Sequence, residues 1–181
     1  MVKCKMTKYT FEKLRILLVD DNKHMCSLLT AILGAFGCNQ IIQSTDPDKA
    51  FGLIGDYKPD IVIADLVMRP TDGIEFVRRV RTDPTSPNPF LPIIMVSGHA
   101  SAARVGMARD AGVNEFMVKP VSVDAMLKRM DAVIRHPRPF IRAKEYFGPD
   151  RRRSIKKTFT GREKRDLSVF QIEDGPSMAA G

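Results

Sequence analysis

Four short apolar runs in this chain each stop at a chemically active polar group, and few architectures place such runs side by side. Ile61-Val62-Ile63-Ala64 leads into Asp65, and Ile16-Leu17-Leu18-Val19 into Asp20-Asp21. Ile93-Ile94-Met95-Val96 leads into Ser97, and Phe116-Met117-Val118 into Lys119. Runs of this length, apolar without alternation and bounded by turn residues, suit parallel strands covered on both faces. Open parallel sheets collect their ligands outside the carboxyl ends of the strands. With all four parallel, three carboxylates, a hydroxyl and an ammonium converge on one crevice. A lone carboxylate at a strand end is usually a cap or turn residue. The set together has no such structural explanation.

Helical patterns alternate with these runs. Met25, Leu28, Leu29, Ile32 and Phe36 recur at helical spacing after the Asp21-Asn22 cap and before Gly37. Ile41 to Ser44 reads as a further strand, and Asp46-Pro47 opens a second helix. Ile74, Val77 and Val80 mark a third helix, Ser101 to Ala111 a fourth, and Ser122 caps a fifth with Val123, Met126, Met130 and Val133 inward. Asp83 to Pro92, with four prolines, reads as a surface loop. Five strand–helix units with right-handed crossovers predict an α/β, doubly wound, five-stranded parallel sheet. The expected arrangement is flavodoxin-like, with strand order 2-1-3-4-5.

Clustered carboxylates repel one another unless a hard cation lies among them. With oxygen donors from Asp20, Asp21 and Asp65 and no His or Cys beside them, magnesium is the expected ion and zinc is not. Cys4, Cys26 and Cys38 are an odd set without a CxxC and are expected to be reduced packing residues.

The acid pair, single acid, hydroxyl and Lys119-Pro120, each at the end of a successive strand, resemble the receiver domain of two-component response regulators over residues 13–136. That resemblance implies that Asp65 accepts a phosphoryl group from a histidine kinase or phosphotransfer protein. It also implies that the carbonyl of Val67 joins the metal ligands, and that Lys119 and Ser97 hold the phosphoryl group. Ser97 and Phe116 would then form a switch, the hydroxyl swinging towards the phosphoryl group and the aromatic ring rotating inward. Such a module signals by binding a downstream protein. Its catalysis is confined to its own phosphoryl transfer and loss. An aspartate-nucleophile magnesium phosphatase is the alternative class, although that family uses a DxD where this chain has Asp20-Asp21-Asn22. One departure from the receiver pattern is Arg69 between Met68 and Pro70. Arg69 and His99 are both expected to face solvent.

Residues 1–12 form a basic segment before the domain, and residues 137–181 are expected to be a mostly irregular, arginine-rich extension. Residues 142–165 hold 10 basic against 3 acidic side chains. Tyr146-Phe147-Gly148-Pro149-Asp150-Arg151-Arg152 and Phe159-Thr160-Gly161-Arg162-Glu163-Lys164-Arg165 read as one duplicated turn. So few aliphatic residues cannot build a separate core or an ordinary helix-turn-helix output domain. Three uses of the extension stand open: solvated chain, a nucleic-acid arm, and a site for a small guanine dinucleotide. Nucleic acid ranks last. The architecture is similar to chemotaxis-regulator-like effectors that bind cyclic diguanylate through an arginine-rich tail and act at the flagellar motor. That likeness nominates Arg151, Arg152, Arg153 and Tyr146 as nucleotide contacts. No run reaches the roughly 18 apolar residues of a membrane span, and the basic opening lacks the apolar core of a signal peptide, so a cytoplasmic protein without membrane insertion is expected.

Overall fold

The fold is described from a computed structural model, in which residues 11–143, 146–152 and 168–170 are defined. Strands β1 (Arg15–Val19), β2 (Gln40–Ser44), β3 (Ile61–Asp65), β4 (Ile93–Ser97) and β5 (Glu115–Val118) alternate with five helices. These are α1 (Lys23–Gly34), α2 (Pro47–Tyr57), α3 (Gly73–Thr82), α4 (Ala102–Ala111) and α5 (Val123–Arg135). The strands form one sheet in the order β2-β1-β3-β4-β5, every pair parallel. Every residue of β3 and β4 is buried, which explains why their sequences are apolar without alternation. Successive side chains leave a strand on opposite faces, so the sheet feeds two cores. Leu17, Val62, Ala64, Ile93 and Met95 pack beneath α2, α3 and α4, whereas Ile16, Leu18, Ile61, Ile63 and Ile94 pack beneath α1 and α5.

The caps sit where the sequence puts them. Asn22 Oδ1 accepts from the His24 and Met25 amides, Asp46 from Asp48 and Lys49, and Ser122 Oγ from Ala125. Two expected inward residues face out instead. Leu28 is 50% exposed, because the buried line of α1 runs through Cys26, Leu29, Ile32 and Leu33 and Leu28 lies one step off it. Val123 is 47% exposed because it opens the first turn of α5, short of the stripe formed by Met126, Met130 and Val133. Gly37 has the expected left-handed conformation (φ 83°), three residues beyond the end of α1. Cys26 and Cys38 are buried free thiols, while Cys4 lies outside the described residues.

Within the extension, expected to be mostly irregular, three short strands are described. Phe140–Ala143 (β6) and Tyr146–Pro149 (β7) pair antiparallel, and Ser168–Phe170 (β8) pairs antiparallel with the other side of β6. The first four residues of the first copy of the expected duplicated turn, Tyr146–Pro149, are therefore strand, and the second copy lies outside the described residues. The physical reason is a shared core. Phe140 and Phe147 meet Phe90 with ring centroids 5.2 Å away in each case, so the proline-rich loop supplies an aromatic ring rather than only a solvated surface. Beneath Phe140 lies Arg81, which is 3% exposed. Its guanidinium donates to the carbonyls of Gly112 (3.0 Å) and Pro89 (2.7 Å) and to Asn114 Oδ1 (3.0 Å). Burial pushes the pKa of Arg81 down to about 9, which leaves the side chain charged at neutral pH.

Candidate functional site

Parallel pairing brings the carboxyl ends of β1, β3, β4 and β5 to one edge of the sheet. Asp20 follows β1 and is buried, Asp21 beside it is exposed, and Asp65 closes β3 and is buried. One carboxylate oxygen from each of these three lies within 4.8 Å of the others. Lys119, just beyond β5, reaches across with Nζ 2.7 Å from Asp65 Oδ1 and 3.1 Å from Asp20 Oδ2. The remaining oxygens also have partners. Asp65 Oδ2 accepts from the Val67 amide (3.0 Å) and Asp20 Oδ1 from the Asn22 amide (2.9 Å).

These contacts set the electrostatics. Burial lifts the Asp20 pKa above its ordinary value; the Asn22 amide and the Lys119 charge oppose that rise without cancelling it, and the nearby Asp65 charge adds to it. Burial pushes the Lys119 ammonium down, but its hydrogen bond and charge interaction with Asp65, followed by those with Asp20, outweigh burial and raise its pKa. One ammonium therefore serves two buried acids while Asp21 stands exposed beside them. Such an oxygen-only donor set suits a hard divalent cation that keeps part of its water shell, so magnesium fits the residues present.

Gly73, at the start of α3, fixes the distance between that helix and the acid. A Cβ built on Gly73 would lie 2.1 Å from the Asp65 carbonyl oxygen and 3.0 Å from Leu66 Cα. The Gly73 amide donates to the Leu66 carbonyl at 2.9 Å. Only glycine permits the chain after Asp65 to lie so close to the helix start.

The other nominated residues fall into three groups. Ser97 is fully buried at the end of β4; its hydroxyl accepts from the His99 amide (2.9 Å) and donates to the His99 carbonyl (3.1 Å), so it is engaged within its own loop. Phe116 is half-buried against the core, and Val67 is exposed beside Asp65. Arg69 and His99 face solvent as expected. On the extension, Tyr146 is buried, its hydroxyl donates to the Pro149 carbonyl (2.6 Å), and the guanidinium of Arg151 covers its ring at 3.9 Å. Arg151 also pairs with Asp110 (2.7 Å) and Arg152 with Asp150 (3.2 Å), while Arg153 lies outside the described residues. Tyr146 thus offers no free ring as a stacking platform, because it serves the contact between the extension and α4. Sequence reasoning missed Arg81 and Asn114. Arg81 carried a signal, since it follows Ile74 and Val77 on the inward stripe of α3.

A family profile described as the response regulator receiver domain matches residues 16–131. Response regulator MprA of Mycobacterium sp. (strain KMS) is 31% identical over 125 residues, covering 69% of this chain and 52% of that protein. The MprA of Mycobacterium avium (strain 104) is 29% identical over 126 residues, or 70% and 53%. The chain spans about half the length of the curated relatives it matches. Among solved structures, the Vibrio cholerae chemotaxis protein CheY4 aligns with a TM-score of 0.61 and 26% identity, covering 66% of this chain and 98% of that one. The CheX–CheY–BeF3–Mg complex of Borrelia burgdorferi aligns with a TM-score of 0.59 and 27% identity, covering 66% and 88%.

Proposed function

The chain belongs to the response regulator receiver family, and from that membership we propose that it is a phosphorylation-controlled switch with Asp65 as the phosphoacceptor. The observation that carries the reading is the contact of Lys119 with Asp65 at 2.7 Å, beside two further acids whose oxygens lie within 4.8 Å. A carboxylate oxygen of Asp65 attacks phosphorus in line, forming the acyl phosphate while the bond from phosphorus to the donor histidine or small phosphodonor breaks. Asp20, Asp21, Asp65 and the carbonyl of Val67 would hold magnesium, which would supply neutralising charge for the phosphoryl oxygens. Lys119 adds a point charge on the side facing β5. Ser97 exchanges its bonds to His99 for one to the phosphoryl group, and Phe116 turns inward behind it.

The input is a histidine kinase or phosphotransfer protein, and the output is a change in affinity for a protein partner, of which a flagellar motor component is one kind. The chemistry is self-modification rather than turnover of a separate substrate. A cyclic diguanylate site is not part of the proposal: the Arg151 guanidinium lies over the Tyr146 ring and pairs with Asp110.

Incubation with a small acyl phosphate and magnesium tests the reading. The wild type is expected to take up one phosphoryl group that hydroxylamine removes. Full labelling of Asp65→Asn would exclude Asp65 as the acceptor.

A further inference from the structure

The buried faces of α4 are few. Of its ten residues only Ala108 and Ala111 are buried, so the sheet alone holds this helix weakly. Its C-terminal end is held by the extension instead. Asp110 pairs with Arg151 at 2.7 Å, and Arg151 in turn covers Tyr146 at 3.9 Å. At the next turn Gly112 and Gly148 meet backbone to backbone: a Cβ on Gly148 would lie 2.8 Å from Gly112 Cα, and one on Gly112 would lie 3.0 Å from the Phe147 carbonyl oxygen. This close approach requires glycine on both sides. The other end of α4 begins with Ser101, whose hydroxyl caps the helix at the Arg104 amide, four residues beyond Ser97. One short helix therefore joins the Ser97 loop to the β6–β7 hairpin.

We propose that the β6–β7 pair, with its flanking residues 138–139 and 150–152, is a built-in brake, which by docking on the end of α4 holds the β4–α4 loop where Ser97 is bonded to His99 and so opposes phosphorylation of Asp65. The inference rests on the phosphorylation reading above and adds to it a control element outside residues 16–131. Docking and phosphorylation then disfavour each other by the same factor, because linkage is reciprocal. A phosphoryl group that draws Ser97 away from His99 shifts the start of α4, and a packed helix passes that shift to Asp110 and Gly112 as a unit.

The test uses the full chain with magnesium and beryllofluoride as the phosphoryl mimic. The variants are Gly148→Ala, which pushes the hairpin off Gly112, and Arg151→Gln, a surface change that leaves the core intact. Lys49→Gln on α2 is the control. Gly148→Ala is expected to bind the mimic about fivefold more tightly or better, with a smaller gain for Arg151→Gln and none for the control. In the wild type, the mimic is expected to speed amide hydrogen exchange over 140–149. Unchanged mimic affinity in both hairpin variants, with exchange showing the hairpin loosened, would overturn the inference while leaving phosphorylation standing. Slower exchange over 140–149 on binding the mimic would do the same. Failure of the wild type to bind the mimic at all would remove the phosphorylation reading and this inference with it.

Discussion

Asp20 and Lys119 show how one pair of side chains ties stability to function. The raised pKa of Asp20 means that ionising it costs the folded state free energy. That cost is present above its folded pKa and fades as pH falls through that value towards the ordinary 3.8. Lys119 runs the other way: its raised pKa contributes stability that is complete below the ordinary 10.5 and is lost as pH climbs through the folded value. Asp20→Asn, which keeps the acceptor for the Asn22 amide, is therefore expected to raise the metal-free melting temperature at pH values where Asp20 is ionised. The same variant should lose most of the stabilisation that magnesium gives the wild type. Thermal scans with and without magnesium check both; a fall in melting temperature would mean that the Lys119–Asp20 contact outweighs the burial cost. Asp21→Ala, at an exposed position, should weaken magnesium binding with little change in metal-free stability, as a metal titration beside a thermal scan would read out. All of these groups were legible in the sequence because each ends an apolar run. The partner of Ser97 was not, since the His99 bonds depend on how the loop folds back.

At the scale of elements, the helix caps and strand order follow from local rules and were readable, whereas the outward faces of Leu28 and Val123 depend on how each helix rolls against the sheet. Two elements meet through single residues whose replacement should be costly. Gly73→Ala places a methyl group against the Asp65 carbonyl, and neither backbone can yield without moving the acid. Loss of magnesium affinity together with a fall of several degrees in melting temperature is expected. A variant with wild-type values would show that the start of α3 is free to shift. Arg81→Ala would remove the donor to the buried Gly112 carbonyl and the part-buried Pro89 carbonyl, leave Asn114 Oδ1 with the Ile93 amide alone and open a space under Phe140, for a loss of about 2–4 kcal/mol by chemical denaturation. A cost under about 0.5 kcal/mol would place Arg81 among ordinary surface residues. Arg81 escaped the sequence reading because an arginine on an apolar stripe looks like the edge of that stripe until a second layer covers it.

Across the whole molecule, the sequence divides into an apolar receiver and a basic extension, and the structure joins them. The scarcity of aliphatic residues after 137 argues against a separate core, and among the described residues the extension lends Phe140, Tyr146 and Phe147 to a core begun by Phe90 and Arg81. Composition alone does not reveal such a shared core, because the burial lies between segments 50 residues or more apart. Everything proposed about switching, including the brake on α4, depends on where the phosphoryl group goes. The direct measurement is reductive trapping: the full chain is treated with a small acyl phosphate and magnesium, reduced with borohydride, digested and mapped by mass. The account predicts homoserine in place of aspartate at position 65, absent without magnesium and absent without the phosphodonor. Homoserine at Asp20 or Asp21, or none at any position while the donor is consumed, would contradict it.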